Sequence, residues 1–329
     1  MTGLHPMVRM TGANVEVNRN DALWLHSSWR AASTYVWAKL RQRHGTYCYF
    51  EPLNEHLFTL TPEIVDRFVP WSFANHPPLV QPYLEEFRPL IAPGGGLPGF
   101  PAHLTFGRYC ATRDDSLPEL EAYFSNLAAI ATKLGRRPVY GCVRTDLRVG
   151  WFRAHMPGLH IFIRRDARRQ FLSMLRQAVQ GNPYFLQRGV VILRHNLHEP
   201  AFAPLLAALK FPETELPLLL DASRLRAAFR SRLVDETLLR RLYFIFYFLW
   251  LLARQLGEPH CHLVLDIDRL TLNYSYRRGI ESQLSDLVRI PVSFADCQVE
   301  RYDNNLSWSA SQFDALEREI EALTSAALK

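Results

Sequence analysis

The amino-acid sequence predicts an α/β fold with three layers, in which a central, mainly parallel sheet is flanked by helices. Short apolar runs rich in β-branched and aromatic residues alternate along the chain with longer segments whose apolar residues recur at helical spacing. Strands that alternate with helices build a parallel sheet covered on both faces. Hydrophobic residues make up 48% of the chain, enough for a substantial core. All 329 residues are therefore expected to form one domain.

Five strands and six helices are predicted from this alternation. Each predicted strand is a short run of β-forming residues that stops at a polar residue, as a strand does at the edge of a buried sheet. The predicted strands cover residues 22–26, 46–50, 139–143, 159–163 and 262–265. One predicted helix follows the first strand at once, and the others cover residues 120–134, 168–179, 202–209, 236–255 and 311–326.

Three regions depart from this alternation. Residues 61–118 contain many prolines and a run of three glycines, which predicts an irregular insertion that forms a wall of the substrate site. Residues 1–20 lack the apolar run of a secretory signal and are expected to be flexible. The apolar run 242–253 is too short to cross a bilayer, which takes roughly 20 residues. It predicts a buried helix, with peripheral attachment to a membrane surface as the alternative.

The charge pattern favours an anionic ligand. The formal net charge is +6, and arginine is much commoner than lysine. Guanidinium groups make planar, bidentate contacts to phosphate and sulfate. A nucleotide, an anionic polymer or a membrane surface would each suit this balance, and charge alone does not choose among them.

The cysteines indicate a reducing compartment. The five cysteines are widely spaced and include no C-x-x-C pair, which argues against a disulfide framework and against a zinc site. His260 and His262 lie close together but lack further ligands nearby in the sequence, so no metal is expected. These features predict a cytoplasmic protein.

Residues 27–34, between the first strand and the first helix, are the first candidate for an anion site. Backbone N–H groups at a helix N-terminus, with the hydroxyls of Ser33 and Thr34, can hold a phosphate, and Arg30 adds a fixed positive charge. The segment lacks both glycines and the lysine of the nucleoside triphosphatase motif G-x-x-x-x-G-K-[ST]. The alternative is an ordinary helix cap formed by a serine or threonine side chain.

Residues 161–173, at another junction of strand and helix, are the second candidate. Arg165 ends the strand, and Ser173 lies eight residues later, which is close to two helical turns. The two side chains can therefore converge on one anion. The alternative is a solvated basic face whose helix is capped by Asp166.

Together these segments resemble those of sulfotransferases. Residues 27–34 are similar to the family's 5′-phosphosulfate loop, particularly the R-x-G-S-[ST] version of carbohydrate sulfotransferases. Arg165, Asp166 and Ser173 match the 3′-phosphate motif R-D-P-x-x-x-x-x-S. Residues 49–53 resemble the F-E-P-L segment that follows the first helix in carbohydrate sulfotransferases. Together with the segment described next, the resemblance covers about a third of the chain in four short stretches.

A fourth stretch, residues 265–270, resembles the Y-E-D-L strand end of the family, and within it Asp266 and Asp268 are expected to organise loops. Two departures from the family pattern are also present. Ala32 replaces the loop glycine, and its Cβ narrows the approach of a phosphate. Ala167 replaces the proline after Arg165-Asp166, a milder change because alanine also starts helices.

The resemblance implies a P-loop fold and an enzyme that transfers a sulfuryl group from 3′-phosphoadenosine 5′-phosphosulfate (PAPS) to a hydroxyl acceptor. Adenosine 3′,5′-bisphosphate is then the product, and no metal is required. Transfer is expected to be in line, with Arg30 stabilising the leaving phosphate. The implied cofactor-binding residues are Ser28, Trp29, Arg30, Ala31, Ala32, Ser33, Thr34, Arg165 and Ser173.

The acceptor hydroxyl needs a proton acceptor, and Glu51 at the end of the second strand is the candidate general base. Glu55 and His56 are rivals, and the alternative is that Glu51 only pairs with an arginine. Arg144, at the end of another strand, is a candidate for holding the sulfate or an anionic acceptor.

The resemblance implies a carbohydrate or glycolipid acceptor and no nucleic acid partner. Aromatic side chains of the insertion are expected to stack on sugar rings, with ordinary packing as the alternative. These residues are Phe68, Trp71, Phe73, Tyr83 and Phe87. A small-molecule alcohol or a peptide tyrosine is also compatible with the sequence.

Two other classes of function are compatible with the sequence. A kinase-like phosphoryl transferase is disfavoured by the absent lysine and glycines. A nucleotide-binding protein without catalysis is the other class, and the replacement of the family's loop glycine by Ala32 is compatible with it.

Overall fold

In the computed structural model, five parallel strands form one sheet at the centre of the described chain, which comprises residues 22–68, 79, 81–209, 219–230, 236–298 and 308–327. The strand order is β2-β3-β1-β4-β5. The strands are β1 (Ala22–Ser27), β2 (Thr46–Phe50), β3 (Arg137–Cys142), β4 (Gly158–Arg164) and β5 (Leu263–Asp266). The predicted α/β fold, with helices flanking the sheet, is confirmed, and all five strands are parallel.

β1 lies in the middle of this sheet. It pairs with β3, where Leu25 lies opposite Gly141, and with β4, where Leu25 lies opposite Ile161. Every residue of β1 is buried. A strand buried on both faces is a continuous apolar run rather than an alternating one, which explains the sequence of β1.

The helices that the structure describes occupy most of the segments between strands. They are α1 (Ser33–Arg41), α2 (Pro62–Arg67), α3 (Pro118–Lys133), α4 (Val149–His155), α5 (Ala167–Val179), α6 (Tyr184–His195), α7 (Ala203–Leu209), α8 (Ala222–Arg230), α9 (Glu236–Leu252), α10 (Ile267–Leu272), α11 (Tyr274–Val288) and α12 (Ala310–Ala327). Short 3₁₀ segments and a π-helical turn at Ala253–Gly257 join them.

Helices cover both faces of the sheet. On one face, Trp37 of α1 packs on Gly141, where an added Cβ would lie 3.1 Å from Trp37 Cδ1. On the other face, the rings of Phe124 from α3 and Phe152 from α4 surround Trp24 of β1. A second apolar cluster joins α5, α6, α9 and α12 beside the sheet.

The predicted elements agree with this structure in most places. Each predicted strand and each predicted helix is present, with boundaries shifted by at most a few residues. Six helices of the described chain were not predicted, namely α2, α4, α6, α8, α10 and α11. Within the predicted insertion, residues 61–68, 79 and 81–118 are described, and they are irregular apart from α2, short 3₁₀ segments and the first residue of α3. Residues 69–78 and 80 of the insertion, and residues 1–20, lie outside the described chain.

The apolar run 242–253 lies mainly in α9, which packs against α6 and α12. The prediction of a buried helix is confirmed. Within the described ranges, none of the helices combines the length and the apolar character that a membrane span requires.

A chain of hydrogen bonds between buried histidines crosses the core. Thr145 Oγ1 lies 2.7 Å from His26 Nδ1, His26 Nε2 lies 2.9 Å from His160 Nδ1, and His160 Nε2 lies 3.0 Å from the carbonyl oxygen of Met156. Because a carbonyl oxygen only accepts, neutral His160 carries its proton on Nε2 and accepts from His26 at Nδ1. The Thr145 hydroxyl then donates to His26. Burial lowers the pKa of His26 to about 3, so both rings are neutral near pH 7.

Candidate functional site

The loop between β1 and α1 has an unusual backbone. Arg30 and Ala32 adopt φ angles of 66° and 63°, in the left-handed region that favours glycine. The intervening Ala31 has a negative φ and is fully buried. Alternation of this kind turns successive backbone N–H groups toward one side and makes an anion-binding concavity. Strained backbone of this type is found disproportionately at functional sites.

The start of α1 bears on the cap interpretation of residues 27–34. The N-cap of α1 is Ala32, and no side-chain hydrogen bond caps the helix. Ser33 is already the first residue of α1. The N–H groups of the first turn are therefore available to a ligand, as in helix N-termini that bind anions. The ordinary serine or threonine cap is not present here.

Replacing Ala32 with glycine is expected to raise the free energy of unfolding by about 1 kcal/mol. A left-handed non-glycine residue costs roughly 1–2 kcal/mol, and the greater freedom of glycine in the unfolded chain offsets part of the gain. The matched control is Ala31→Gly, which lies in the same loop at negative φ and is expected to lower stability. Urea denaturation of both variants measures their free energies of unfolding. A loss of stability in both variants would contradict the presence of backbone strain at Ala32.

The second predicted segment contacts this loop directly. Arg30 Nε donates to Ser173 Oγ at 3.0 Å, and an Arg165 guanidinium N–H donates to the Arg30 carbonyl oxygen at 3.3 Å. Gln170 Nε2 donates to the Trp29 carbonyl oxygen at 2.6 Å. Both Arg165 and Ser173 are buried. The structure thus brings Arg30, Arg165 and Ser173 together, although they come from separate parts of the chain.

The position of this cluster in the sheet is the one expected for a ligand site. β1 and β4 are neighbours, but the chain leaves β1 toward β2 and leaves β4 toward β5. Strand connections that diverge in this way open a crevice at the carboxyl ends of the strands, where α/β proteins bind ligands.

The start of α5 is fixed by acidic residues. Asp166 accepts from Arg169 N at 3.0 Å and caps the helix, as one interpretation of this segment predicted. Asp268 accepts from Asp166 N at 2.6 Å and from Arg169 at 2.8 Å. Arg168 pairs with Glu317 of α12. Arg168 and Arg169 are therefore held by carboxylates rather than forming a solvated basic face, and the predicted loop-organising role of Asp268 is confirmed.

A buried ionic cluster lies beside the loop. Arg144, whose side chain is 1% exposed, donates to both Glu51 and Glu55 at 2.5 Å. Tyr184 and Arg188 also donate to Glu55. Burial raises the pKa of Glu55, but Arg144 and Arg188 lower it by more, to about 2. The guanidinium of Arg144 also lies 5.3 Å from the ring of Trp29, which connects the cluster to the loop.

The candidate bases have different environments. Glu51 has a positive φ of 44° and accepts from Arg144 and from Asn54 Nδ2, so the pairing with an arginine that sequence reasoning left open is present. Its role as general base stays a prediction. His56 is exposed and lies edge-on to Phe68. The carboxylates of Glu51 and Glu55 already neutralise the positive charge of Arg144. Arg144 therefore attracts a sulfate less strongly than an arginine without these ion pairs would.

In the loop that follows β3, sequence reasoning identified Arg144 but missed Thr145, Asp146 and Arg148. Arg144, Thr145, Asp146 and Arg148 are all at most 5% exposed. Asp146 accepts from the Tyr109 hydroxyl at 3.0 Å, and burial raises the pKa of Asp146 to about 7. The signal was present in the sequence as three charged residues within five positions at the end of a parallel strand.

An apolar cavity opens next to Ser28 and Trp29 of the loop. Its volume is about 40 Å³, and α5, α6 and α9 form most of its wall. The aromatic residues Phe185, Phe246 and Trp250 line it. Asp146 and Arg188 are its charged lining residues.

Comparison of the chain with known protein families, curated proteins and solved structures gave no match. The candidate site is therefore described by its own geometry, as a loop with alternating φ angles at the carboxyl edge of an α/β sheet. Among the described residues, no three histidine, cysteine, aspartate or glutamate side chains are grouped to hold a metal ion.

Proposed function

We propose that the protein is a PAPS-dependent sulfotransferase with a three-layer P-loop fold. The observation that carries the proposal is the contact of Arg30 with both Ser173 and Arg165. The two segments that resemble the 5′-phosphosulfate loop and the 3′-phosphate motif meet at one edge of the sheet. A nucleotide with phosphates at both ends of its ribose needs two anion sites separated by a short distance, and this pair of segments offers them.

In this proposal, the backbone amides of residues 30–34, with Arg30 and the hydroxyls of Ser33 and Thr34, hold the 5′-phosphosulfate. Arg165 and Ser173 hold the 3′-phosphate. The alternating φ angles of the loop support the first assignment, because preorganised N–H groups bind an anion without further ordering. The burial of Arg165 supports the second, since a guanidinium screened from water interacts more strongly with phosphate.

Sulfuryl transfer in this site needs little covalent help from the protein. The acceptor oxygen attacks sulfur in line with the leaving phosphate oxygen, and the main requirement is placement and charge neutralisation. Arg30, close to the N-terminus of α1, is our candidate for neutralising the leaving oxygen. Glu51 stays the candidate base by sequence, in contact with Arg144. The acceptor is a hydroxyl compound, for which the resemblance implies a carbohydrate.

A nucleotide-binding protein without catalysis is the second candidate. The observation that favours it is Ala32, whose Cβ stands in the loop at the position of the family's glycine, at a φ of 63°. A methyl group there narrows the space through which a phosphate or sulfate group approaches the loop.

The test is calorimetric titration of adenosine 3′,5′-bisphosphate into wild-type protein and variants. Arg165→Ala is expected to weaken binding at least about tenfold, and Arg30→Ala to weaken it less, because a charge-assisted hydrogen bond is worth about 1.5–3 kcal/mol. Arg169→Ala is the matched control, since Arg169 starts the same helix but pairs with Asp268. Its affinity is expected to stay within about twofold of wild type.

Three outcomes separate the classes of function. Bisphosphate binding, together with sulfate transfer from labelled PAPS, supports the enzyme. Bisphosphate binding without transfer to any acceptor supports the non-catalytic protein. A folded wild-type protein that binds ATP with magnesium but no bisphosphate would refute the proposal and place the kinase-like class first.

A further inference from the structure

Gln170 of α5 holds the backbone of the loop after β1 from one side. Its Nε2 group donates to the Trp29 carbonyl oxygen and to Ser28 Oγ, both at 2.6 Å, and its side chain is fully buried. A trans peptide unit is planar, so the Trp29 carbonyl and the Arg30 N–H point in opposite directions. Because Gln170 holds the carbonyl, the Arg30 N–H is directed to the far side of the loop.

A second bond acts in the same way on the next peptide unit. Arg165 donates to the Arg30 carbonyl oxygen at 3.3 Å, which directs the Ala31 N–H to the far side as well. Two successive N–H groups therefore face one side, in agreement with the alternating φ angles of Arg30 and Ala31. Gln170 thus helps to hold Arg30 in a left-handed conformation, which a residue other than glycine keeps only when its surroundings fix it.

The amide of Gln170 also has a feature that lowers stability. Because a carbonyl oxygen only accepts, Nε2 must be the atom that faces Trp29, and its two protons are used for the two bonds. Its Oε1 is buried, and among the described residues it has no hydrogen-bond partner. An apolar side chain would fill the same space without an unpaired acceptor. A buried residue that is unfavourable for stability is expected where a functional site needs it.

We propose that Gln170 is a positioning residue for the 5′-phosphosulfate site, where it sets the direction of two donors. One donor is the Arg30 N–H. The other is the Ser28 hydroxyl, which accepts from Gln170 and so keeps its own proton to donate to an anion. This inference rests on the proposed sulfotransferase function. Residue 170 occupies a variable position of the 3′-phosphate motif, so the resemblance to the family does not indicate it.

The position of Gln170 separates the two phosphates of the nucleotide. Arg165 and Ser173, which are proposed to hold the 3′-phosphate, precede and follow Gln170 in the chain, but its amide contacts the loop proposed for the 5′-phosphosulfate. Loss of the amide is therefore expected to weaken binding of a 5′-phosphate more than that of a 3′-phosphate. A change that only disturbed the packing of α5 would weaken both, because Ser173 lies about one turn further along the same helix.

Calorimetric titration of adenosine 5′-monophosphate and adenosine 3′-monophosphate into Gln170→Leu tests this role. Affinity for the 5′-monophosphate is expected to fall about tenfold relative to wild type, because hydrogen bonds to a charged phosphate lose their direction. Affinity for the 3′-monophosphate is expected to stay within about twofold of wild type. Gln177→Leu is the matched control, since Gln177 is a buried glutamine two turns later on the same face of α5. It is expected to bind both ligands as wild type does.

NMR relaxation of the ligand-free protein measures the order of the loop directly. The order parameters of the Arg30 and Ala31 amides are expected to fall in Gln170→Leu, toward the values below about 0.6 that flexible backbone gives. In Gln177→Leu they are expected to match wild type. Both variants are expected to stay folded, because each replaces a buried amide with an apolar side chain of similar size.

The inference and the proposed function fail in different ways. Equal losses of affinity for the two monophosphates, or loop order parameters that match wild type, would overturn the role of Gln170 and leave the sulfotransferase proposal standing. A folded wild-type protein that binds neither the bisphosphate nor either monophosphate would refute the proposed function and, with it, the role of Gln170 in a 5′-phosphosulfate site.

Discussion

Replacing Arg144 with methionine is expected to lower the free energy of unfolding by about 3–5 kcal/mol at pH 7, the usual cost of removing one partner from a buried ion pair. Arg144 is 1% exposed and bridges Glu51 and Glu55. Methionine fills similar space but leaves both carboxylates without that partner. Burial lowers the pKa of Arg144, yet the two carboxylates and Tyr184 raise it by more, which shows that the pairing outweighs the desolvation of the charge.

Arg188→Met is the matched control for this variant. Arg188 also pairs with Glu55, but burial lowers the pKa of Arg188 below its ordinary value. The ion pair therefore does not fully offset the cost of removing this charge from water. Its loss leaves Glu55 with Arg144 and is expected to cost much less. Adding Glu51→Gln to Arg144→Met is expected to recover part of the stability. Urea denaturation measures all of these variants, and equal losses in the two arginine variants would contradict this account.

The histidine chain is expected to make the fold sensitive to acid. Burial lowers the pKa of His26 to about 3, while histidine in the unfolded chain titrates near 6.5. Burial also lowers the pKa of His160 well below its ordinary value. The unfolded chain therefore binds more protons below pH 6.5, and stability falls as the pH drops from 6.5 toward 3. Each histidine is expected to remove ~2 kcal/mol of stability by pH 5.

The variant His26→Gln isolates this effect. Its stability at pH 8 is expected to be below that of wild type, because it disturbs the bonds to Thr145 and His160. Between pH 8 and pH 5, however, it is expected to lose ~2 kcal/mol less than wild type. The slopes of stability against pH must be compared between the variant and wild type, because other buried groups also titrate. Burial raises the pKa values of Asp146 and Glu86 to about 7, so these groups add stability as the pH falls, whereas the histidines remove it. Exposed His44→Gln is the control, and a wild-type slope in His26→Gln would contradict the account.

The strands were predictable because each has a local signal. In β2, for example, residues 46–50 are all β-forming, and Glu51 stops the run. The helices that were not predicted depend on contacts between residues that are far apart in the sequence. In α6, Arg188 and Gly189 interrupt the apolar pattern, and the structure explains both, since Arg188 pairs with Glu55 and Gly189 lets α6 approach Ile245 of α9. Neither partner is visible from the sequence of α6 alone.

In the candidate site, too, some residues have a local sequence signal and others depend on distant contacts. Residues 27–34 and Arg165 were identified because junctions of strand and helix place backbone N–H groups and arginines in recognisable patterns. Asp146 was not identified, because its burial depends on Tyr109 and on the chain around Gly257, where an added Cβ would lie 2.4 Å from the Asp146 carbonyl oxygen. Burial is a property of the assembled fold, and the shift in the pKa of Asp146 follows from it.

The central position of β1 also affects how the chain folds during protein synthesis. β1 is the first of the five strands to leave the ribosome, yet the strands that flank it begin only at Arg137 and Gly158. Until then, both edges of an apolar strand carry unpaired N–H and C=O groups, which are a template for pairing with other chains. Such long-range parallel pairings form slowly. Aggregation is therefore most favoured while the chain between β2 and β4 is being synthesised. The loop after β1 takes its final form only when β4 and α5 have been made.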